Sequence, residues 1–178
     1  AYNWENKTES DFNASDKVSV SVSGGTFTSE VPQNCCAPGF VPKANSDGTY
    51  GVEINKNEDM VAEVLDAQGN TVGAYGTLAA AITEAKNGET VKLLSDVTEK
   101  VSISRNLVLD LNGKTLTGED LKNSNGKHER IALTANAGKV EVKNGIIDGR
   151  VNAYDSADLT IDADVTVKNS YNGSGYDC

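Results

Sequence analysis

Little in this chain is basic, aromatic or continuously apolar, and each shortage removes a class of function. Sixteen Lys and Arg stand against 26 Asp and Glu, a formal charge of −10 with a pI of about 4.5. Phosphate backbones and anionic lipid are bound by Lys/Arg surfaces, so nucleic acid is not an expected partner. No stretch approaches the roughly 18 consecutive apolar residues of a membrane helix, and no membrane insertion is expected. The opening Ala1-Tyr2-Asn3-Trp4 lacks the basic and apolar regions of a secretory leader, which suggests a mature chain or an excised fragment. The single histidine, His128, leaves no zinc-binding spacing. Aromatics are 6% of the 178 residues, with Trp4 the sole Trp and Met60 the sole Met, so the core has to come from Val, Ile, Leu and Ala.

Turn-forming residues are abundant instead. With 17 Gly and 18 Asn, about a fifth of the chain favours tight corners and left-handed backbone. Four segments share one template, in which alternating apolar residues are followed by a corner and a second apolar pair. They begin at Val20, Leu109, Val140 and Leu159. Val140 to Leu159 is a step of 19 and Leu109 to Val140 a step of 31. If the polar stretch Glu119 to Arg130, 12 residues long, is a loop inserted in one turn, 31 minus 12 is also 19. A constant step of about 20 residues is what a solenoid coil needs, because each strand stacks on its equivalent in the next coil. The expectation is an all-β fold, a right-handed parallel β-helix with inward Val, Ile and Leu columns and Asn or Gly corners. A β-sandwich built from the same alternating strands is the alternative.

One segment has the period of a helix. In Thr77 to Gly88, residues 78, 81, 82 and 85 form an apolar stripe, Thr77 suits the N-cap and Gly88 a left-handed C-terminal cap. Such a helix would cover the open end of the coil, protecting exposed strand edges. Thr90–Leu94 and Val101–Ile103 then start the first coil. Three regions follow from this pattern: an N-terminal segment, 1–27, carrying a coil; a connecting region, 28–76; and the capping helix with the β-helix, 77–178. The connecting region holds strand candidates at Tyr50–Ile54 and Val61–Leu65 and a hairpin turn at Asp66-Ala67-Gln68-Gly69-Asn70.

The strings Tyr75-Gly76-Thr77-Leu78-Ala79-Ala80-Ala81-Ile82, Asn87-Gly88-Glu89-Thr90-Val91-Lys92-Leu93-Leu94 and Leu107 to Leu116 resemble the opening of pectate-lyase-like β-helix modules. Such modules occur in large surface proteins of Gram-positive bacteria, often of gut or anaerobic type. Val22-Ser23-Gly24-Gly25-Thr26-Phe27, followed by Gly39-Phe40-Val41-Pro42 and Gly48-Thr49-Tyr50, resembles the closing coil and exit of the same modules. The resemblance covers residues 17 to 55 and 72 to 169. It implies an extracellular, cell-surface module that is structural or adhesive and not an enzyme. Its order is unusual, since the closing motif precedes the opening one. The stacking strand, with Val20, Val22 and Phe27, is therefore expected on the far end of the coil, in the same chain or in a neighbouring subunit. The second arrangement makes a head-to-tail fibre. In a third, the segment ends a preceding module of a tandem array.

Three cysteines, Cys35, Cys36 and Cys178, give an odd count. Adjacent residues rarely bridge without strain, so a disulfide is expected between Cys178 and either Cys35 or Cys36. Asp162 and Asp164 are carboxylates two apart and suit calcium in type, but two oxygen donors fall short of the six to eight calcium takes. A solvated acidic face is the simpler reading, and no cofactor is expected. Asn144-Gly145-Ile146-Ile147-Asp148-Gly149-Arg150 resembles a string of polygalacturonases, where it shapes a coil corner. The paired carboxylates of glycosidic catalysis and the companion His and Arg motifs have no counterpart. The sequons at Asn6, Asn13 and Asn172 are read as a by-product of frequent Asn, and Tyr2, Trp4, Tyr171 and Tyr176 as packing at the chain ends. The expected partners are further copies or neighbouring modules, with host or cell-wall glycan as a ligand. A carbohydrate-binding or polysaccharide-degrading module, a lyase or hydrolase, is the alternative function.

Overall fold

The structure is a computed structural model and describes residues 20–55, 59–122, 126 and 128–170. It is all-β, with 54% of residues in strands. A hairpin of β1 (Phe40–Ala44) and β2 (Tyr50–Ile54) comes first, then a second of β3 (Ala62–Leu65) and β4 (Thr71–Tyr75), then helix α1 (Leu78–Glu84). Ten strands follow: β5 (Thr90–Leu93), β6 (Val97–Thr98), β7 (Val101–Ile103), β8 (Leu107–Asp110), β9 (Thr115–Thr117), β10 (Glu119–Lys122), β11 (His128–Lys143), β12 (Gly145–Asp148), β13 (Arg150–Ile161) and β14 (Val165–Lys168). They form an eight-stranded mixed sheet and a four-stranded sheet of order β14-β12-β9-β6. The two sheets do not close on one another.

Three columns of parallel pairs run through these sheets. Val91 pairs with Leu109, Leu109 with Val142, and Val142 with Ile161. In the second column Val97, Leu116, Ile147 and Val167 follow one another. In the third, Val101 and Val151 both pair with Leu133. Along β5, β7 and β8 the residue alternation buries every second side chain, as a pleated strand with one apolar face requires. Val91, Leu109, Leu116, Leu133, Val142 and Ile147 are all fully buried in one continuous core.

The register corrects two sequence-based equivalences. Val140 lies opposite Leu107, not Leu109, so the step is 33 at the first column and 31 at Leu116/Ile147. The two extra residues are absorbed by the corner Leu111-Asn112-Gly113-Lys114, in which Leu111 is buried and Asn112 has φ 50°. The insert Glu119 to Arg130 is also not a plain loop. Glu119–Lys122 pairs antiparallel with His128–Ile131, so it is a β-hairpin continuous with β11. Beyond Ile131 the same strand joins the third column, then turns at Gly138 into the first. Gly138 has φ 81°, and a Cβ there would lie 2.6 Å from the Arg105 carbonyl carbon.

Side chains at the corners link successive strands of the columns. Asn87 Oδ1 accepts from Asn106 N at 3.1 Å, and Asn106 Oδ1 accepts from Lys139 N at 2.8 Å. Asp96 Oδ1 accepts from Thr115 N, and Asn112 Nδ2 donates to Leu93 O. These contacts form a side-chain-to-backbone ladder, which satisfies backbone groups that leave the sheet at each corner.

The outer edge of β5 is covered by its own chain. Strand β3 pairs antiparallel with β5, with Glu63 buried between Lys92 Nζ at 3.2 Å and Thr71 Oγ1 at 2.9 Å. Helix α1 forms where expected: Thr77 Oγ1 accepts from Ala80 N, and Leu78, Ala81, Ile82 and Ala85 are buried. It packs against β3, β4, β5 and β7. The Glu99 carboxylate accepts from Leu78 N and Ala79 N at 2.8 and 2.9 Å, while Arg105 donates to the carbonyls of Thr83 and Ala85 at the other end. Gly88 does not cap the helix; it has φ 86° in the following turn and donates its N–H to Asn106 O. The hairpin turn at Asp66 is as expected, with Asp66 Oδ1 accepting from Gln68 N and Asn70 N.

Val20–Phe27 lies at this covered end and not beside β13 and β14. Val22 bridges Cys36 in parallel and Phe27 bridges Tyr50, while Ala74 N donates to Pro38 O and ties the region to β4. Five strand spacings of about 4.8 Å, roughly 24 Å, separate β4 from β13 along the sheet. Stacking on β13 within one chain is incompatible with these bridges.

Two substitutions test this account. Leu109→Ala should cost about 2–5 kcal/mol in denaturant unfolding, the range for emptying a filled core position. Glu99→Ala should cost about 1.5–3 kcal/mol through loss of charge-assisted bonds to two helix amides, and should also lower the protection of those amides from hydrogen exchange.

Candidate functional site

The inserted hairpin stands beside β13 and forms one wall of a cleft of about 510 Å³. Glu129 and Ile131 line one side and Arg150, Val151, Asn152, Ala153 and Tyr154 the other. The alternation of β11 and β13 places polar groups toward the opening and Leu133 and Ala135 in the core. Tyr154 is 60% exposed, the most open of the large apolar side chains among the described residues. Arg150 Nη1 stands 3.7 Å from Glu129 Oε2 across the cleft. At the hairpin tip His128 Nδ1 is 3.0 Å from Asp120 Oδ1.

Asp148, at the end of β12, is buried. Its Oδ1 accepts from Ser170 N at 2.8 Å and lies 3.7 Å from Arg130 Nη1. Burial alone would push this carboxyl up, but the Ser170 hydrogen bonds and then the Lys168 and Arg130 charges outweigh it and hold the group below the usual carboxylate range. A carboxyl held ionised is a poor proton donor, the opposite of what the general acid of glycosidic cleavage needs. Asp148 joins β12, the hairpin and the segment after β14. The string from Asn144 to Arg150 holds β12 (Gly145–Asp148), followed by Gly149 at φ 148°.

The other candidates are dispersed. Asp162 and Asp164 stand in the turn between β13 and β14 and not on a strand face. Asp164 Oδ1 accepts from Asn144 N at 3.2 Å, so it serves the corner ladder. Among the described residues no group of three or more His, Cys, Asp or Glu is placed to hold a metal ion. Cys35 and Cys36 are half-buried free thiols, and burial followed by the neighbouring Cys35 pushes the Cys36 thiol up. Thus no disulfide forms among the described residues. Cys178 lies outside them, as do Tyr2, Trp4, Tyr171, Tyr176 and the sequons. The sequence reading missed the cleft because its walls are 19 or more residues apart, and the signal available was Tyr154, an aromatic in an otherwise aliphatic strand pattern.

No family model, no curated protein and no solved structure matches the chain.

The Asp148 contacts give a prediction with a sign. A carboxyl whose folded pKa lies below its unfolded value, about 3.9, contributes fully above that value and loses its contribution as pH falls through the folded one. Asp148→Asn should therefore reduce stability by about 1–3 kcal/mol at neutral pH, with the gap to wild type narrowing below about pH 4 in urea titrations.

Proposed function

We propose that the chain is a right-handed parallel β-helix module of a bacterial surface protein, acting outside the cell as a structural or adhesive element and not as an enzyme. The observation that carries this reading is the set of three strand columns recurring at steps of 18 to 20 residues, or 31 to 33 where the hairpin is inserted. Three parallel columns per turn suit a coil, whereas a β-sandwich is built from antiparallel neighbours. The corner ladder supports the same reading, because each coil supplies acceptors to the amides of the next. A solenoid of this kind sets a fixed distance and presents a long polar flank. The extracellular setting is what the resemblance of the strings from Tyr75 to Leu116 to pectate-lyase-like modules implies.

A second reading, a carbohydrate-binding module, is favoured by the cleft beside Tyr154. An exposed aromatic face next to Arg150, Glu129 and Asn152 combines a stacking surface for a sugar ring with groups that bond hydroxyls or a uronate carboxylate. One experiment separates the readings. The chain is incubated with neutral and acidic polysaccharides while reducing ends, unsaturated products and retention in affinity electrophoresis are followed. The structural reading expects neither turnover nor retention. Retention lost in Tyr154→Ala would establish the second reading, and product release would overturn the non-enzymatic one.

A further inference from the structure

The last coil ends in a strand edge that nothing covers among the described residues. Strand β14 pairs only with β12, and Leu159–Ile161 of β13 only with β11. In the columns to which they belong, Val142 and Ile147 are fully buried, yet Ile161 is 36% and Val167 47% exposed. Unpaired N–H and C=O groups beside exposed aliphatic side chains make a surface that binds another strand.

The complementary strand lies at the other end of the molecule. Val20 is 53% exposed and Val22 and Phe27 are half-buried, with one edge of the segment held by Cys36 and Tyr50. Three of the four exposed large hydrophobic residues therefore fall on these two edges. The segment also has the spacing of a coil. Val20, Val22, Gly25 and Phe27 match Val140, Val142, Gly145 and Ile147, the four residues that pair with Leu159, Ile161, Val165 and Val167 from below. The same side chains, offered from above, meet the same partners.

We propose that the outer edge of β13 and β14 takes up Val20–Phe27 of a second copy of this chain, in parallel, with Val20 opposite Leu159, Val22 opposite Ile161, Gly25 opposite Val165 and Phe27 opposite Val167. The proposal rests on the coil reading above. A second copy is required because Val20–Phe27 is bridged to its own chain at the covered end, roughly 24 Å of sheet from β13. The contact joins two different surfaces, so it repeats from copy to copy and builds a filament. The net charge of −10 opposes it, so raised ionic strength should lengthen the assemblies.

The test uses the full chain with Cys35, Cys36 and Cys178 replaced by Ser. One preparation carries Val22→Cys and another Ile161→Cys, and the two are oxidised alone and mixed. A cross-linked dimer that forms efficiently only in the mixture is expected, since register partners lie within disulfide reach. Sedimentation velocity of the wild-type chain should show mass rising with concentration, and Val20→Lys or Val167→Lys should weaken association about tenfold or more. As a control, Glu141→Cys with Thr160→Cys should link within one chain, because these residues pair across adjacent coils. Failure of the control would overturn the coil reading. A formed control with no mixed dimer, or a monomer at every concentration, would overturn the docking alone. Mixed dimers in a different register, or an edge protected in the monomer by residues 171–178, would also overturn it.

Discussion

The constraint on which the rest of this molecule depends is that a strand in a parallel stack must place like over like. Its backbone bonds fix the register with the strand below, and the pleat then decides which side chains face inward. Val91, Leu109 and Val142 are aliphatic because each lies in the pair above or below another aliphatic. The scarcity of aromatics follows from the same rule. A ring wide enough to fill a column would have to be repeated at every level, and columns of Val, Leu and Ile fill the same space at one strand per step. The inserted hairpin respects the constraint by leaving the strand columns after Thr117 and rejoining them beyond Ile131, so that the pairs on either side are undisturbed.

The two ends meet the constraint differently. At the start, antiparallel β3 and helix α1 cover β5 and β7, with Glu99 and Arg105 fastening the helix at both termini. At the finish Ile161 and Val167 are left half-open, their columns continued by nothing described. Among the described residues the strand columns are thus covered at one end and open at the other.

Much of this was legible in the sequence because period and position are written locally. Thr77 and the 78/81/82/85 stripe identify the helix, since caps and stripes depend on residues within one or two turns. Asp66-Ala67-Gln68-Gly69-Asn70 identifies its turn for the same reason. The Leu109/Val140 equivalence slipped by two because a corner of variable length separates two columns, and only the pairing of β8 with β11 reveals the longer one. The hairpin was hidden because its strands carry Glu119, Asp120, Lys122, His128 and Glu129, polar on both faces as a projecting ribbon can be. Strand β1 was read only as part of an exit motif, since Pro42 interrupts the pattern of a strand that pairs on one side alone. The pairing of Asp148 with Arg130 and Ser170 had no local signal, because the three come from different levels of the stack.

The corner ladder also bears on how the protein ages. Asn112-Gly113 and Asn144-Gly145 are the dipeptide in which the glycine nitrogen attacks the asparagine side chain, releasing ammonia and leaving an aspartate or isoaspartate. Here Gly113 N donates to Asn144 O, Asn112 Nδ2 is held by Leu93 O and Asn144 Nδ2 by Asp110 Oδ1. With the attacking nitrogen and the side-chain amides engaged, ring closure at Asn112 first requires the corner to open. The same bonds that join neighbouring strands at the corner therefore slow deamidation at Asn112, so that the folded chain keeps its asparagine longer than an unfolded one.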